Sequence, residues 1–120
     1  MANVRMSRIN AEIQKCIAEI ITNKINNPAI DNMIVSVVRV DTAPDLSDCK
    51  VYISILGSES QKKICFDAIV NSQGFIRREL SHMIRLKITP NLNFKYDTSY
   101  EKSERINELL EQIKTGDNNE

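Results

Sequence analysis

The chain has 120 residues, of which 42% are hydrophobic and 27% charged, enough apolar material for one core and an argument against disorder as the main state. No apolar run approaches the roughly 18 to 20 residues that span a bilayer, and Met1 to Arg5 lack the apolar segment of a secretory signal, so we expect a cytoplasmic protein without a membrane partner. The formal net charge of zero hides an asymmetry: residues 1–96 carry 13 basic and 9 acidic side chains, and residues 97–120 carry 3 and 7.

The first predicted element is an amphipathic helix from Arg5 to about Lys24. Its apolar stripe follows the spacing of one buried helix face: Ile9, Ile13, Cys16, Ile17, Ile20 and Ile21. On the opposite face, the spacing predicts two i, i+4 ion pairs, Arg8 with Glu12 and Lys15 with Glu19. The helix should end at Asn26-Asn27-Pro28, because proline disfavours helical geometry in the residue before it.

Two strands should follow. Ile34 to Val40 is rich in β-branched residues, but its buried face is ambiguous because two valines, at 37 and 38, are adjacent. Cys49 to Ile55 alternates clearly, with Cys49, Val51, Ile53 and Ile55 on the face expected to be buried and Lys50, Tyr52 and Ser54 on the other face. The short, turn-rich segment between the strands favours an antiparallel hairpin.

A broken pair of helices is predicted next. Ser58 and Gln61 form a capping-box pattern before a helix with the apolar stripe Ile64, Cys65, Ala68 and Ile69. Helical periodicity breaks at Ser72-Gln73-Gly74 and resumes with Ile76, Leu80, Met83 and Ile84. A glycine within a helix costs about 1 kcal/mol relative to alanine, so it marks a kink, a cap or a close approach of another backbone. The immediate return of periodicity favours the kink.

The helix after the break has a basic polar face. At about 100° per residue, Arg78, Ser81, His82 and Arg85 share that face, Arg77 flanks it and Lys87 follows it. Between Asn71 and Lys95 there are five basic residues and one acidic residue, so the surplus of positive charge is local. A localised basic surface suits phosphate contacts, although a helix face of this kind is also often only solvated.

The remaining residues complete one α+β domain. Leu92 to Tyr96 reads as a third strand entered from Pro90, and Asp97-Thr98-Ser99 is a cap for a last helix with apolar positions at Tyr100, Ile106, Leu109, Leu110 and Ile113. The predicted order is α-β-β-α-(kink)-α-β plus a C-terminal helix, with helices on one face of a three-stranded sheet. The second and third strands should be parallel if they are neighbours. We expect one domain over residues 1–114 and a frayed acidic tail over 115–120.

Catalysis finds little support in the sequence. Cys16, Cys49 and Cys65 fit neither a disulfide framework nor a CxxC metal half-site, and are interpreted as small buried hydrophobes. Cys65 and His82 could form a nucleophile and base only with an orienting group, which the spacing does not offer. We therefore predict neither an enzyme nor a bound cofactor.

Several segments, in order, resemble the bacterial ribosome-binding factor A family, which has a type II K-homology (KH) fold. They are Arg5-x-x-Arg8 with Glu12-Ile13, Asp45-Leu46, Val51-Tyr52-Ile53-Ser54, Gly74-Phe75-Ile76-Arg77-Arg78-Glu79-Leu80, Leu86 to Phe94, Tyr96-Asp97 and Ile106 to Leu110. The resemblance runs nearly from end to end. It implies a non-catalytic factor that binds the free small (30S) ribosomal subunit during late maturation and supports rRNA processing and cold adaptation.

The resemblance also points to the helix break. Typical KH domains have a GXXG loop there, which grips nucleotide phosphates, whereas this family has an Ala-x-Gly kink. The present chain has Ser72 in place of the alanine, and a serine hydroxyl can hydrogen-bond a nearby carbonyl within a helix. Phe75, beside the kink, either fills the angle between the helices or stacks on a base.

The candidate RNA contacts are therefore basic residues and the residues of the break: Arg77, Arg78, Arg85, Lys87, Ser72, Gln73, Gly74, Arg5 and Arg8. The expected partners are the small ribosomal subunit and its rRNA, bound by a monomer without a small-molecule substrate. The alternative hypothesis is a protein-only interaction module that uses the exposed sheet face around Lys50, Tyr52 and Ser54, or the C-terminal helix.

Overall fold

A computed structural model of the chain describes residues 4–98. It contains four helices and three strands: α1 (Val4–Glu19), α2 (Pro28–Asp31), β1 (Ile34–Thr42), β2 (Asp48–Leu56), α3 (Glu59–Asn71), α4 (Gln73–Met83) and β3 (Asn91–Tyr96). The predicted α+β order is confirmed up to β3, with α2 as an addition. The predicted C-terminal helix, the domain boundary at residue 114 and the tail over 115–120 lie outside the described residues.

The strands form one mixed sheet in the order β1-β2-β3. The β1–β2 hairpin is antiparallel and β2 and β3 are parallel, as the sequence predicted. The alternating residues of β2 are buried as expected, namely Cys49, Val51, Ile53 and Ile55. They join the core formed by isoleucines of α1 and the buried residues of α3 and α4, so the helices cover one face of the sheet.

A β-bulge in β1 resolves the ambiguity between its adjacent valines. Val37 pairs with Ile53 and Arg39 pairs with Tyr52, so Val38 is the extra residue and is 44% exposed. Gln14 of α1 donates through Nε2 to the Val37 carbonyl at 2.8 Å. The first helix therefore binds the irregular backbone of the strand that it covers.

The end of the first helix also departs from regular geometry. Residues Ile20–Lys24 form a π-helical turn, which the Ile25 amide extends with a 3.1 Å bond to the Ile20 carbonyl. The following Asn27 caps α2, accepting a 2.9 Å bond from the Ala29 amide. In the sequence, this asparagine and its proline indicated only a helix end.

Two local predictions on helix surfaces are wrong. The ion pairs expected along α1, Arg8 with Glu12 and Lys15 with Glu19, are absent from the ion pairs of residues 4–98. On α3, Ile64 is 60% exposed, while Cys65 and Ile69 are buried as predicted.

The capping box of α3 is confirmed, since both the Ser58 side chain and the Gln61 side chain accept the expected backbone hydrogen bonds. Across residues 4–98, no helix has both the length and the apolar character that crossing a membrane requires.

Candidate nucleic-acid interface

The break between α3 and α4 is a single residue, Ser72. Its backbone (φ −94°, ψ 7°) departs from helical values, and helical residues adjoin it on both sides. The Ser72 hydroxyl donates to the Ala68 carbonyl at 2.9 Å, a bond of the kind that a serine within a helix can form. Because the hydroxyl is bound back into α3, it does not cap α4, whose N-terminus has no side-chain cap.

Gly74 does not form the kink, contrary to the prediction. It lies in the first turn of α4, its φ is not positive, and a Cβ atom built on it would meet nothing within 4 Å beyond its own helix backbone. Packing within residues 4–98 therefore does not require a glycine here. Phe75, the next residue, is half-buried against the hydrophobic core, as the space-filling interpretation predicted.

Arg77 holds the segment that leads into β3. Its Nε donates to the Pro90 carbonyl at 3.1 Å and its Nη2 donates to the Thr89 carbonyl at 2.7 Å. Two of its five donors are thus committed to backbone oxygens of the chain itself. Its neighbour Arg78 is exposed, and none of the hydrogen bonds or ion pairs of residues 4–98 involves its guanidinium.

Arg85 does not lie on the helix face where the periodicity placed it. Helix α4 ends at Met83, and Ile84 is already extended (φ −125°, ψ 132°). Arg85 and Lys87 consequently belong to the segment between α4 and β3, and both are exposed. The predicted shared face with Arg78 does not exist.

The extended segment instead brings Arg85 and Lys87 to the first turns of α1. Together with Arg5 and Arg8 they line a cavity of about 520 Å³, which we call the basic groove. Its apolar lining consists of Val4 and Ile9 from α1, Leu46 from the β1–β2 turn, and Ile84 and Leu86 from the segment after α4. Glu12 is the one acidic side chain among the described lining residues. Four of the nine predicted contact residues therefore meet in one place.

Leu46 reaches the groove from a strained turn of the β1–β2 hairpin. Its φ is +62°, a left-handed conformation that costs a leucine roughly 1–2 kcal/mol. The turn is held by a 2.8 Å bond from the Leu46 amide to the Ala43 carbonyl and by Asp45, which accepts from the Ser47 amide and hydroxyl. These Ser47 hydrogen bonds hold the pKa of the Asp45 carboxyl below its usual value. In the sequence, Leu46 stood out only as part of a family motif.

The other predicted contacts lie outside the groove lining. Ser72, Gln73 and Gly74 stand at the opposite end of α4 from the segment that carries Arg85, and neither Arg77 nor Arg78 lines the cavity. Polar contacts also occupy part of the open sheet face, where the Arg39 guanidinium lies 4.2 Å above the Tyr52 ring and 3.3 Å from the Asp41 carboxylate. The candidate surface is thus a groove and, apart from it, a helix end without a side-chain cap.

The cysteines are placed as small hydrophobes. Cys49 and Cys65 are buried, and burial raises the pKa of both thiols, as it does for the partly buried Cys16. A raised pKa disfavours the nucleophilic thiolate. Between Val4 and Thr98 no group of three or more histidine, cysteine or carboxylate side chains is arranged to hold a metal ion.

Comparison with known proteins gives one consistent family. Residues 5–110 match the protein-family model described as ribosome-binding factor A. The chain is similar to ribosome-binding factor A of Clostridium acetobutylicum, with 44% identity over 120 residues that cover all of this chain and 98% of the relative. The protein of that name from Clostridium tetani is 40% identical over 120 residues, again covering all of this chain and 98% of the relative.

The fold is similar to solved structures of the same name. The crystal structure of ribosome-binding factor A from Thermus thermophilus gives a TM-score of 0.65 at 20% identity, covering 76% of this chain and 94% of that one. A homology model of the Thermus thermophilus protein, fitted into the cryo-EM map of its 30S complex, gives 0.59 at 20% identity over 74% and 91% of the two chains. The agreement supports a KH-like fold.

Proposed function

The chain belongs to the ribosome-binding factor A family, a family of ribosome-associated binding factors and not of enzymes, and we propose that it binds the free small ribosomal subunit through rRNA contacts in the basic groove. The observation that carries this proposal is the convergence of four cations from two separate elements. Arg5 and Arg8 come from α1, and Arg85 and Lys87 come from the segment after α4.

The chemistry of these side chains suits a phosphate backbone. Three of the four are arginines, whose planar guanidinium presents paired N–H donors that match two phosphate oxygens. A formal net charge of zero for the whole chain disfavours indiscriminate binding of polyanions. If each cation neutralises one phosphate, the logarithm of the binding constant should fall with the logarithm of salt concentration with a slope of about −2.8 to −3.6.

The N-terminus of α4, which has no side-chain cap, supplies a second anion contact in this proposal. Backbone N–H groups at the start of a helix, together with the helix dipole, favour a phosphate. Gly74 lies in this first turn with open space where a side chain would be, so a nucleic-acid backbone can approach closely. This gives the glycine a role that packing within residues 4–98 does not.

Membership of this family also supports a proposal about the protein's role in the cell. We expect a cytoplasmic monomer that acts on the small subunit during late maturation, supports processing of its rRNA and contributes to cold adaptation, without a cofactor. The homology model of the Thermus thermophilus protein, fitted into the map of a 30S complex, supports the choice of the small subunit.

A matched pair of double variants tests the groove. Arg8→Glu with Arg85→Glu reverses two groove charges, whereas Lys50→Glu with Lys95→Glu makes the same change in net charge at exposed positions on β2 and β3. We expect the groove variant to lose cosedimentation with small subunits and the sheet variant to retain it, with native circular dichroism for both. Arg77 is left intact because its loss would disturb the segment that carries Arg85.

The opposite pattern would contradict the proposal. Retained binding by the groove variant, with loss of binding by the Lys50 and Lys95 variant, would support the alternative interaction module on the open sheet face. Retained binding by both variants would exclude a contact that depends on the charges of the groove.

A further inference from the structure

We propose that the basic groove receives one unpaired nucleotide of the bound RNA, with its base on the apolar floor and its phosphates on the cationic rim. This inference rests on the proposed function, but it makes a separate claim. Phosphate binding needs only the cations, whereas uptake of a base needs the apolar lining between them.

The composition of the groove favours a ligand with both parts. Five apolar side chains line it beside the four cations, and one of them, Val4, is 72% exposed. A cavity of about 520 Å³ lies within the range of about 300–1,000 Å³ that is typical of small-ligand pockets. Apolar side chains in such pockets take up the flat face of a base when enzymes extract a base from a duplex.

The strained turn at Leu46 supports the same ligand. A left-handed residue of this kind is normally glycine or asparagine, because their conformational cost is lower. The chain instead holds a half-buried leucine there, and fixes the turn by Asp45 and by a 3.0 Å bond from the Asn91 amide to the Ser47 carbonyl. Strain that the surrounding structure maintains is typical of binding sites. The feature gained is an apolar side chain in the groove.

The two sources of the cations indicate how the nucleotide would lie. Arg8 and Arg85 come from different elements, so a phosphate on either side of one nucleotide can have its own partner. A base inside a duplex is stacked and paired and cannot reach a protein floor, so the nucleotide must be unpaired. Glu12, the acidic lining residue, would repel a phosphate but accepts a hydrogen bond from an exocyclic amino group, as carboxylates do with cytosine.

The test compares two RNA probes of equal backbone charge. One is a short hairpin with a single bulged cytidine, and the other is the same hairpin with an abasic ribose at the bulge. We expect the wild-type protein to bind the cytidine probe at least about fivefold more tightly, the gain that corresponds to removing roughly 40 Å² of apolar surface from water. Equal binding of the two probes would overturn the inference.

Variants assign the preference to the groove. Leu46→Asn removes one of the five apolar lining side chains while keeping a residue that tolerates the left-handed turn, so it should fold and show a smaller preference for the cytidine probe than wild-type protein. Ile88→Asn is the matched control, because Ile88 is exposed in the same segment as Lys87 but does not line the groove, and it should keep the preference. A cytidine preference in Leu46→Asn as large as in wild-type protein would overturn the inference.

The outcomes separate this inference from the proposed function. If Leu46→Asn weakens the cytidine preference and wild-type protein cosediments with small subunits, both the nucleotide site and the proposed function are supported. If wild-type protein cosediments through its groove cations but binds the two probes equally, only the nucleotide pocket is rejected. If an acidic peptide with leucine anchors binds wild-type protein but not Leu46→Asn, while the cytidine preference is the same in both proteins, the groove is a protein-binding site and the inference is rejected.

Discussion

The sequence predicted Arg77 to be an RNA contact, whereas in the structure its guanidinium holds the segment before β3 through hydrogen bonds to backbone carbonyls. A stability measurement can test this structural role. In Arg77→Ala, the Thr89 and Pro90 carbonyls lose a charged donor. Hydrogen bonds to charged groups contribute about 1.5–3 kcal/mol when shielded and less when exposed. One of these bonds is exposed, so we expect a loss of about 2 kcal/mol for the pair, or about 8 °C in melting temperature for a domain of this size.

Arg78 is the matched control for that measurement. It is the next residue on α4 and carries the same charge, but its guanidinium makes none of the described hydrogen bonds or ion pairs. Urea denaturation of the two alanine variants, followed by circular dichroism, should therefore separate them, with Arg78→Ala within about 0.5 kcal/mol of wild type. If the two variants unfold at the same urea concentration, Arg77 does not brace the segment.

Three further predictions concern the helices and the core. Gly74→Ala should be as stable as wild-type protein or more stable by up to about 1 kcal/mol, because the added Cβ meets no other atom within 4 Å beyond its own helix backbone. A clearly lower melting temperature in calorimetry would contradict the open space at this position. Ser58→Ala should cost about 1 kcal/mol in urea denaturation through loss of the hydroxyl that accepts from the Gln61 amide, and an unchanged midpoint would show that the cap contributes nothing. Since burial raises the pKa of the Cys49 and Cys65 thiols, folding favours their neutral form, so the free energy of unfolding should be independent of these groups below about pH 8.5 and fall as pH rises above it. Urea denaturation at neutral and alkaline pH measures this fall, which should be smaller in a Cys65→Ala variant than in wild-type protein. An equal fall in both proteins would contradict the role of the Cys65 thiol.

Regular periodicity predicted the elements whose residues obey it throughout. Strand β2 alternates strictly, and its four inward residues were identified correctly. Strand β1 does not alternate, because Val38 bulges out of the ladder where the chain shifts its register against β2. A bulge depends on which residues of the partner strand pair with it, and no pattern within nine residues of one strand contains that information.

The candidate site was harder to predict because it is assembled from distant segments. Arg77 binds carbonyls 12 and 13 residues away, and the groove joins the start of α1 to residues that follow α4. Local patterns identified the positive charge in both places but left the N-terminal arginines as a separate set. The strained Leu46 carried no composition signal, since leucine is not a residue typical of a left-handed turn.

The point at which α4 ends decides where the charge acts. Had the helix continued to Arg85, that residue would lie seven positions beyond Arg78, about two turns along the same face, and the two would form a stripe on one helix. The extended Ile84 interrupts that continuation, although its amide still bonds the Leu80 carbonyl at 3.0 Å. The chain therefore carries Arg85 and Lys87 off the helix and to the cations of α1. In the proposed site, cations from two segments contact one nucleotide from two sides, whereas a stripe on one exposed helix would only follow a phosphate backbone.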